Sequence, residues 1–163
     1  MFFPRLALLA PLLAFALAPA CSSSSDAPPP ADDAGATVTC QNDSRVDTYV
    51  ANLSKTSSSG ALKVAIVSSE PAPPTRYTNT WKVRVTDGSG APIQNPSITV
   101  TPFMPDHGHG TSIRAVATPE ADGTFTITPL YLFMPGVWRV TISLDRGDAG
   151  ATDQVEFFFC IAG

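Results

Sequence analysis

Apolar side chains fall on every second residue over most of the chain. Leu62, Val64 and Ile66 alternate with Lys63, Ala65 and Val67, and Trp81, Val83 and Val85 with Lys82, Arg84 and Thr86. The same period holds for Ile98 and Val100, for Phe125 and Ile127, and for Trp138, Val140, Ile142 and Leu144. A period of two puts one face of a strand on the core and the other in water. Val155 to Ile161 is apolar on both faces apart from Glu156, which predicts a central or doubly covered strand. Thr111 to Ala117 is a weaker strand. One segment carries a helical period instead. Val46, Tyr49, Val50 and Leu53 predict a short amphipathic helix from about Asp43 to Leu53, ended by Lys55 to Gly60 (KTSSSG). Pro71 to Pro74 (PAPP) breaks the chain, and Asp87-Gly88-Ser89-Gly90 and Asp122-Gly123 read as hairpin turns. The expected fold is all-β: an immunoglobulin-like antiparallel β-sandwich of about seven strands with a short N-terminal helix. Trp81 and Trp138 lie on the inward parity and are expected in its core.

The first 36 residues depart from this pattern. In Met1 to Ala20 one cation, Arg5, precedes an apolar run that ends in small residues. This is the pattern of a secretory signal peptide, too short for a spanning helix. Small residues before Cys21 resemble a bacterial lipobox, so Cys21 is the expected lipidation site; the alternative is an ordinary cleaved signal with a spare thiol. Lipid on Cys21 anchors a chain to a membrane without spanning it. Residues 21–36 are rich in Ser, Pro and Asp, with almost nothing to bury, and read as a disordered tether. The folded domain is expected over 37–163, with its core over 62–161. Ser22 after the Cys favours the outer membrane over the inner membrane.

An exported chain meets an oxidising compartment, and this changes the picture for Cys40 and Cys160, which bracket the folded part. A disulfide between them is the economical expectation, and Cys160 as a metal ligand the alternative. The whole chain has 10 basic and 14 acidic residues, and loss of the leader removes Arg5 as well. No basic patch stands out, so nucleic acid is not an expected partner. Nothing in the sequence argues for more than a monomer.

Candidate chemistry gathers in one stretch, Phe103 to Thr111, FMPDHGHGT. It contains both histidines of the chain, and the tripeptide FMP returns at Phe133 to Pro135. Antiparallel strands joined by short loops carry Met134 back to the pole that holds Met104, His107 and His109. Gly108 and Gly110 allow a tight loop. Thioether and imidazole together form a soft to borderline ligand set that suits Cu(I) and tolerates Cu(II), and a Cys-free loop with Met suits zinc less well. Asp106 is a candidate hard ligand or a carboxylate that orients an imidazole. The plainer alternative is that Met before Pro fills core and that the histidines bond the backbone of a turn.

The runs PAPPTRYTNTWKVRV, DGSGAPIQNPSITVTPFMPDHGHGT and DGTFTITPLYLFMPGVWRVTISL together resemble the YtkA-like domain family, which is related to FixH-like domains. The shared pattern is a Pro-rich turn, an Asn-Thr-aromatic strand, an M-P-x-x-x-H loop and a later M-P-G-x-W, over about Leu62 to Ile161. The resemblance implies a small β-sandwich outside the cytoplasmic membrane and a link to copper handling. It marks Met104, His107, His109, Met134 and Trp138. Many members have a second Met where His107 stands.

Three function classes follow. The first is an envelope lipoprotein that binds copper through Met104, His107, His109 and Met134, with Asp106 and Trp138 behind them. It would exchange the ion with a donor or acceptor protein. The second is a metal-free module that binds a protein or glycan partner in the envelope. An enzyme is not expected: Asp106, His107 and Ser112 lie in one segment, where a Ser-His-Asp triad rarely converges. No phosphate-cradling loop or H-E-x-x-H is present.

Overall fold

Six strands form where the alternation places them, the weaker one expected over 111–117 is shifted to Val116–Pro119 because the chain before it crosses between the sheets, and two more join at the edges. The computed structural model describes residues 40–93, 96–145 and 152–163. The signal peptide, the tether and Cys21 lie outside the described residues. The strands are β1 (Leu53–Thr56), β2 (Leu62–Glu70), β3 (Tyr77–Asp87), β4 (Ser97–Met104) and β5 (His109–Gly110), followed by β6 (Val116–Pro119), β7 (Thr124–Leu132), β8 (Gly136–Asp145) and β9 (Asp153–Ile161). They build two antiparallel sheets, ordered β1-β2-β3-β7-β6 and β5-β4-β8-β9. The inward residues of both sheets form one core. Leu62, Ile66, Trp81, Ile127, Trp138, Val140 and Phe157 are fully buried, and Trp81 meets Phe157 and Phe159 edge-on. The fold is the all-β sandwich that the alternation predicts, with nine strands rather than about seven.

The helix over 43–53 does not form. The segment turns at 41–42 and 44–45, runs extended to Val50, and enters β1 at Leu53. Its helical spacing is met without a helix, because Tyr49 and Leu53 pack on the core while Val50 is 55% exposed. Tertiary bonds decide the outcome. Cys40 and Cys160 form the expected disulfide, with Cα atoms 5.3 Å apart. The Asp47 N–H donates to the Phe158 carbonyl, and the Phe158 N–H donates to the Asp47 carboxylate.

Those bonds also explain β9. It is not central: it is the last strand of its sheet, paired on one side to β8. Its open edge is covered by the extended chain around Asp47, and Lys55, paired with Asp47, lies at that edge with Nζ 5.5 Å from the Phe157 ring centroid and 5.8 Å from that of Phe158. An apolar edge strand invites pairing with another chain, and a covering segment prevents it.

Two turns have different outcomes. Asp122-Gly123 joins the paired strands β6 and β7, as a hairpin should. Asp87 to Gly90 turns the chain, with the Asp87 carboxylate accepting the Ser89 and Ala91 N–H groups, but β3 and β4 belong to different sheets. The turn therefore closes a hairpin of one bridge, Thr86 opposite Pro92, before the chain crosses to the other sheet.

One irregularity positions the site. Between the pairs Trp81↔Ile127 and Asn79↔Leu130, one residue of β3, Thr80, faces two of β7, Thr128 and Pro129. This bulge, at Thr128-Pro129, shifts the inward parity of β7 from Phe125 and Ile127 to Leu130 and Leu132. Tyr131 is thereby turned to the rim, and Phe133 follows it there. Opposite, the fully buried Asn79 accepts the Thr75 N–H and donates to the carbonyls of Thr75 and Tyr77, so the chain after the PAPP turn is clamped by a side chain.

Candidate functional site

The two FMP segments meet at one pole. β4 ends at Met104 and β8 begins at Gly136, and the register Phe103↔Arg139 puts these ends side by side. The loop between β4 and β5 is a tight turn: the His107 and Gly108 N–H groups both donate to the Met104 carbonyl, and Gly108 has φ +70°. Gly136, with φ +129°, is the point of closest approach. A Cβ there would lie 2.8 Å from the Met104 methyl and 3.9 Å from His107 Nε2. The absence of a side chain at Gly136 lets the Met104 thioether end and the His107 ring share one side of β8.

The four candidate ligands sit at different depths. Met104 is fully buried and belongs to the core. Met134 is half-buried and packed against the core, His109 is half-buried, and His107 is exposed. The His107 and His109 ring centroids are 5.7 Å apart with planes at 78°. Two imidazoles bound to one ion at about 2 Å put their centroids about 5–6 Å apart, so the spacing fits a shared ion. His109 Nδ1 lies 3.2 Å from the Gly110 carbonyl, which leaves Nε2 as its outward nitrogen. Among the described residues, no three His, Cys, Asp or Glu side chains are grouped to hold a metal.

Of the two supporting residues, Trp138 lies in the core as expected and Asp106 departs from its expected role. Trp138 is fully buried, and its indole N–H donates to the Met134 carbonyl at 2.9 Å, so it fixes the backbone of the second FMP segment. Asp106 orients neither imidazole. Both of its oxygens accept from Arg45, each at 2.8 Å, and Arg45 is also held by Asp43. Arg45 stands 61 residues from Asp106, and no local pattern announces the pair. Phe133 and Arg76 were also invisible as site residues, although the repeat of Phe before Met-Pro was a usable signal. Phe133 stacks on His109 at 5.7 Å and 26°, while Arg76 donates to the Phe133 carbonyl at 3.2 Å. Tyr77, Tyr131, Phe133 and His109 thus form a continuous aromatic row along the rim. Gly110 to Ile113 with Tyr131 and Phe133 line a shallow cleft of about 470 Å³ beside it.

The charges around Arg45 make the loop anchor sensitive to acid. The hydrogen bonds from Arg45 hold the Asp43 carboxyl at about 2, below its ordinary 3.8, and the same guanidinium lowers Asp106. A carboxylate depressed in the folded state stabilises above its unfolded value, and that contribution is lost as pH falls through the folded value. Asp106 is exposed and Asp43 only partly shielded, so the effect is small. The melting-temperature difference between the protein and Arg45→Gln is expected to shrink as pH falls from about 4 to about 2. A difference that stays constant over that range would show that the ion pairs do not carry it.

Comparison with known proteins bears on the whole arrangement. No curated protein and no solved structure matches the chain. A family model does match, over residues 56–143, which takes in β2 to β7, most of β8 and both FMP segments. The match omits β9, both disulfide cysteines and Arg45. More than half of the chain is covered, and the protein belongs to the YtkA-like family.

Proposed function

We propose that this YtkA-like protein is an exported, lipid-anchored accessory module of the cell envelope that binds copper at the pole where its FMP segments meet. Met104 and Met134 offer thioethers, His107 and His109 offer imidazoles, and Trp138 holds the Met134 backbone. No catalytic step is assigned. The observation that carries the reading is the convergence of the Met104 methyl and His107 Nε2 over Gly136, beside a His pair with the ring spacing of a shared ion. The donor set favours Cu(I), because thioether and imidazole are soft to borderline ligands. The exposed His107 gives a partner protein access for exchange. Lipid on Cys21 supplies the membrane attachment in this reading, with the outer membrane favoured.

Titration with Cu(I) against a competing chelator is expected to show one ion per chain. His107→Ala/His109→Ala should weaken uptake by about 100-fold, or about tenfold for each imidazole lost. Met104→Leu/Met134→Leu should also weaken it, with little effect on folding because the exchange conserves volume. Equal, weak uptake by all three proteins would sink the copper reading. A second reading would then stand: a metal-free module whose aromatic row, Tyr77 to His109, receives a protein or glycan partner. The exposed Tyr77 and the adjoining cleft favour it.

A further inference from the structure

The loop that carries both histidines contains one carboxylate, Asp106. A carboxylate next to imidazoles ordinarily widens a site's range. Anionic oxygen favours Cu(II), Zn(II) and other divalent ions, either as a ligand or by orienting a ring. Here Asp106 is withheld. Arg45 grips it with a parallel pair of N–H···O bonds, Nη1 to Oδ1 and Nη2 to Oδ2, both 2.8 Å. Such a fork fits a carboxylate in both direction and spacing, which a lysine cannot match.

Arg45 is itself fixed before any ion arrives. Its Nε donates to Asp43 Oδ1 at 2.9 Å and its Nη2 to Asp43 Oδ2 at 2.6 Å. The Arg45 backbone N–H also donates to Asp43 Oδ1. The segment that carries both residues is stapled at Cys40 to Cys160 and bonded at Asp47 to the edge of β9. The guanidinium is thereby positioned beside Asp106. As an ion pair it adds little stability, because Arg45 and Asp106 side chains are 39% and 50% exposed. Its effect falls on what the loop can offer a ligand.

We propose that Arg45 is a selectivity residue. By occupying both oxygens of Asp106, it keeps the loop's one carboxylate out of the ligand set and leaves a neutral, soft site that discriminates for Cu(I) against divalent ions. The proposal rests on the copper reading above and assigns a determinant outside the family-matched residues 56–143. Arg45 acts through Asp106 and touches no ion.

The test compares Cu(I), Cu(II) and Zn(II) affinities of the full protein, Arg45→Gln, Asp106→Asn and Arg45→Gln/Asp106→Asn, at physiological ionic strength. Arg45→Gln frees the carboxylate, and is expected to raise Cu(II) and Zn(II) affinity by about tenfold while Cu(I) changes by less than about threefold. Adding Asp106→Asn should cancel that gain. Asp106→Asn alone should leave all three affinities within about threefold, because the carboxylate was not in the site. The Cu(II) spectrum supplies a readout that a structural role would not move: added oxygen ligation in Arg45→Gln, absent from the double variant. An equal rise for all three ions would indicate a loss of positive field and overturn the proposal. A fall in divalent affinity in Asp106→Asn alone would overturn it too, even if Arg45→Gln folded poorly. Unchanged affinities in every variant with Cu(I) still bound would reject the role of Arg45 and leave the copper reading intact. Failure of the unaltered protein to take up Cu(I) would remove both.

Discussion

Cys40→Ser/Cys160→Ser is expected to lower the unfolding free energy by about 4 kcal/mol, measured by denaturant titration of the oxidised protein beside the variant. The bridge spans 120 residues, nearly the whole folded part, so its loss returns a large loop entropy to the unfolded chain. The chain-entropy model alone gives about 5 kcal/mol for a loop of this length, and measured values commonly fall below it. Folded-state contacts add to the effect. Cys160 lies on β9 and Cys40 begins the segment that covers the edge of that strand. Once the staple is cut, the cover is held by the Asp47 bonds to Phe158 and by Tyr49, whose ring centroid is 6.4 Å from that of Phe159. The exposed edge of QVEFFFCI then becomes a template for pairing. The variant should therefore also aggregate faster on partial unfolding. A loss below about 1 kcal/mol would mean that the denatured chain is already held compact without the bridge.

The same segment shows where the sequence was legible and where it was not. Strands β2, β3, β8 and the first half of β7 follow directly from alternation, because one face meets a continuous core and the other meets water. The family-linked loops were legible as well, and strand direction alone brought Met134 to the pole of Met104. Residues 43–53 failed because four apolar residues at helical spacing need a common surface to bury against, and Val50 has none. β9 was misplaced for a related reason. Apolar residues on both faces meant a covered strand, but the cover is irregular chain from residues 40–49 rather than a neighbouring strand. The second half of β7 depends on a bulge at Thr128-Pro129, which reverses the faces of everything after it; alternation read from Phe125 would have sent Tyr131 inward. Arg45 was beyond reach because its partner lies on another element, and local patterns report only neighbours in the chain.

Gly136→Ala is expected to destabilise the fold by about 2–3 kcal/mol and to disturb the candidate site in the same step. Two costs combine. The backbone at Gly136 has φ +129°, a region that L residues rarely adopt, and holding an alanine there costs about 1–3 kcal/mol. The added Cβ would also stand 2.8 Å from the Met104 methyl. Met104 is fully buried in a close-packed core, so its methyl has little space in which to retreat. Its flexible thioether softens the clash and keeps the total near the lower end. The two costs separate in a double-mutant cycle. Met104→Leu shortens the side chain that meets the new Cβ, so Gly136→Ala should cost about 1 kcal/mol less in that background. The backbone strain should remain in full. Additive effects of the two substitutions would show that Met104 does not lie against Gly136, and would take away the contact on which the copper reading stands. A clear coupling, together with weaker Cu(I) uptake by Gly136→Ala alone, would tie the glycine of the second FMP segment to the ligands of the first. The repeat would then serve one purpose: the first copy delivers the sulfur, and the second delivers the gap that the sulfur and the imidazole share.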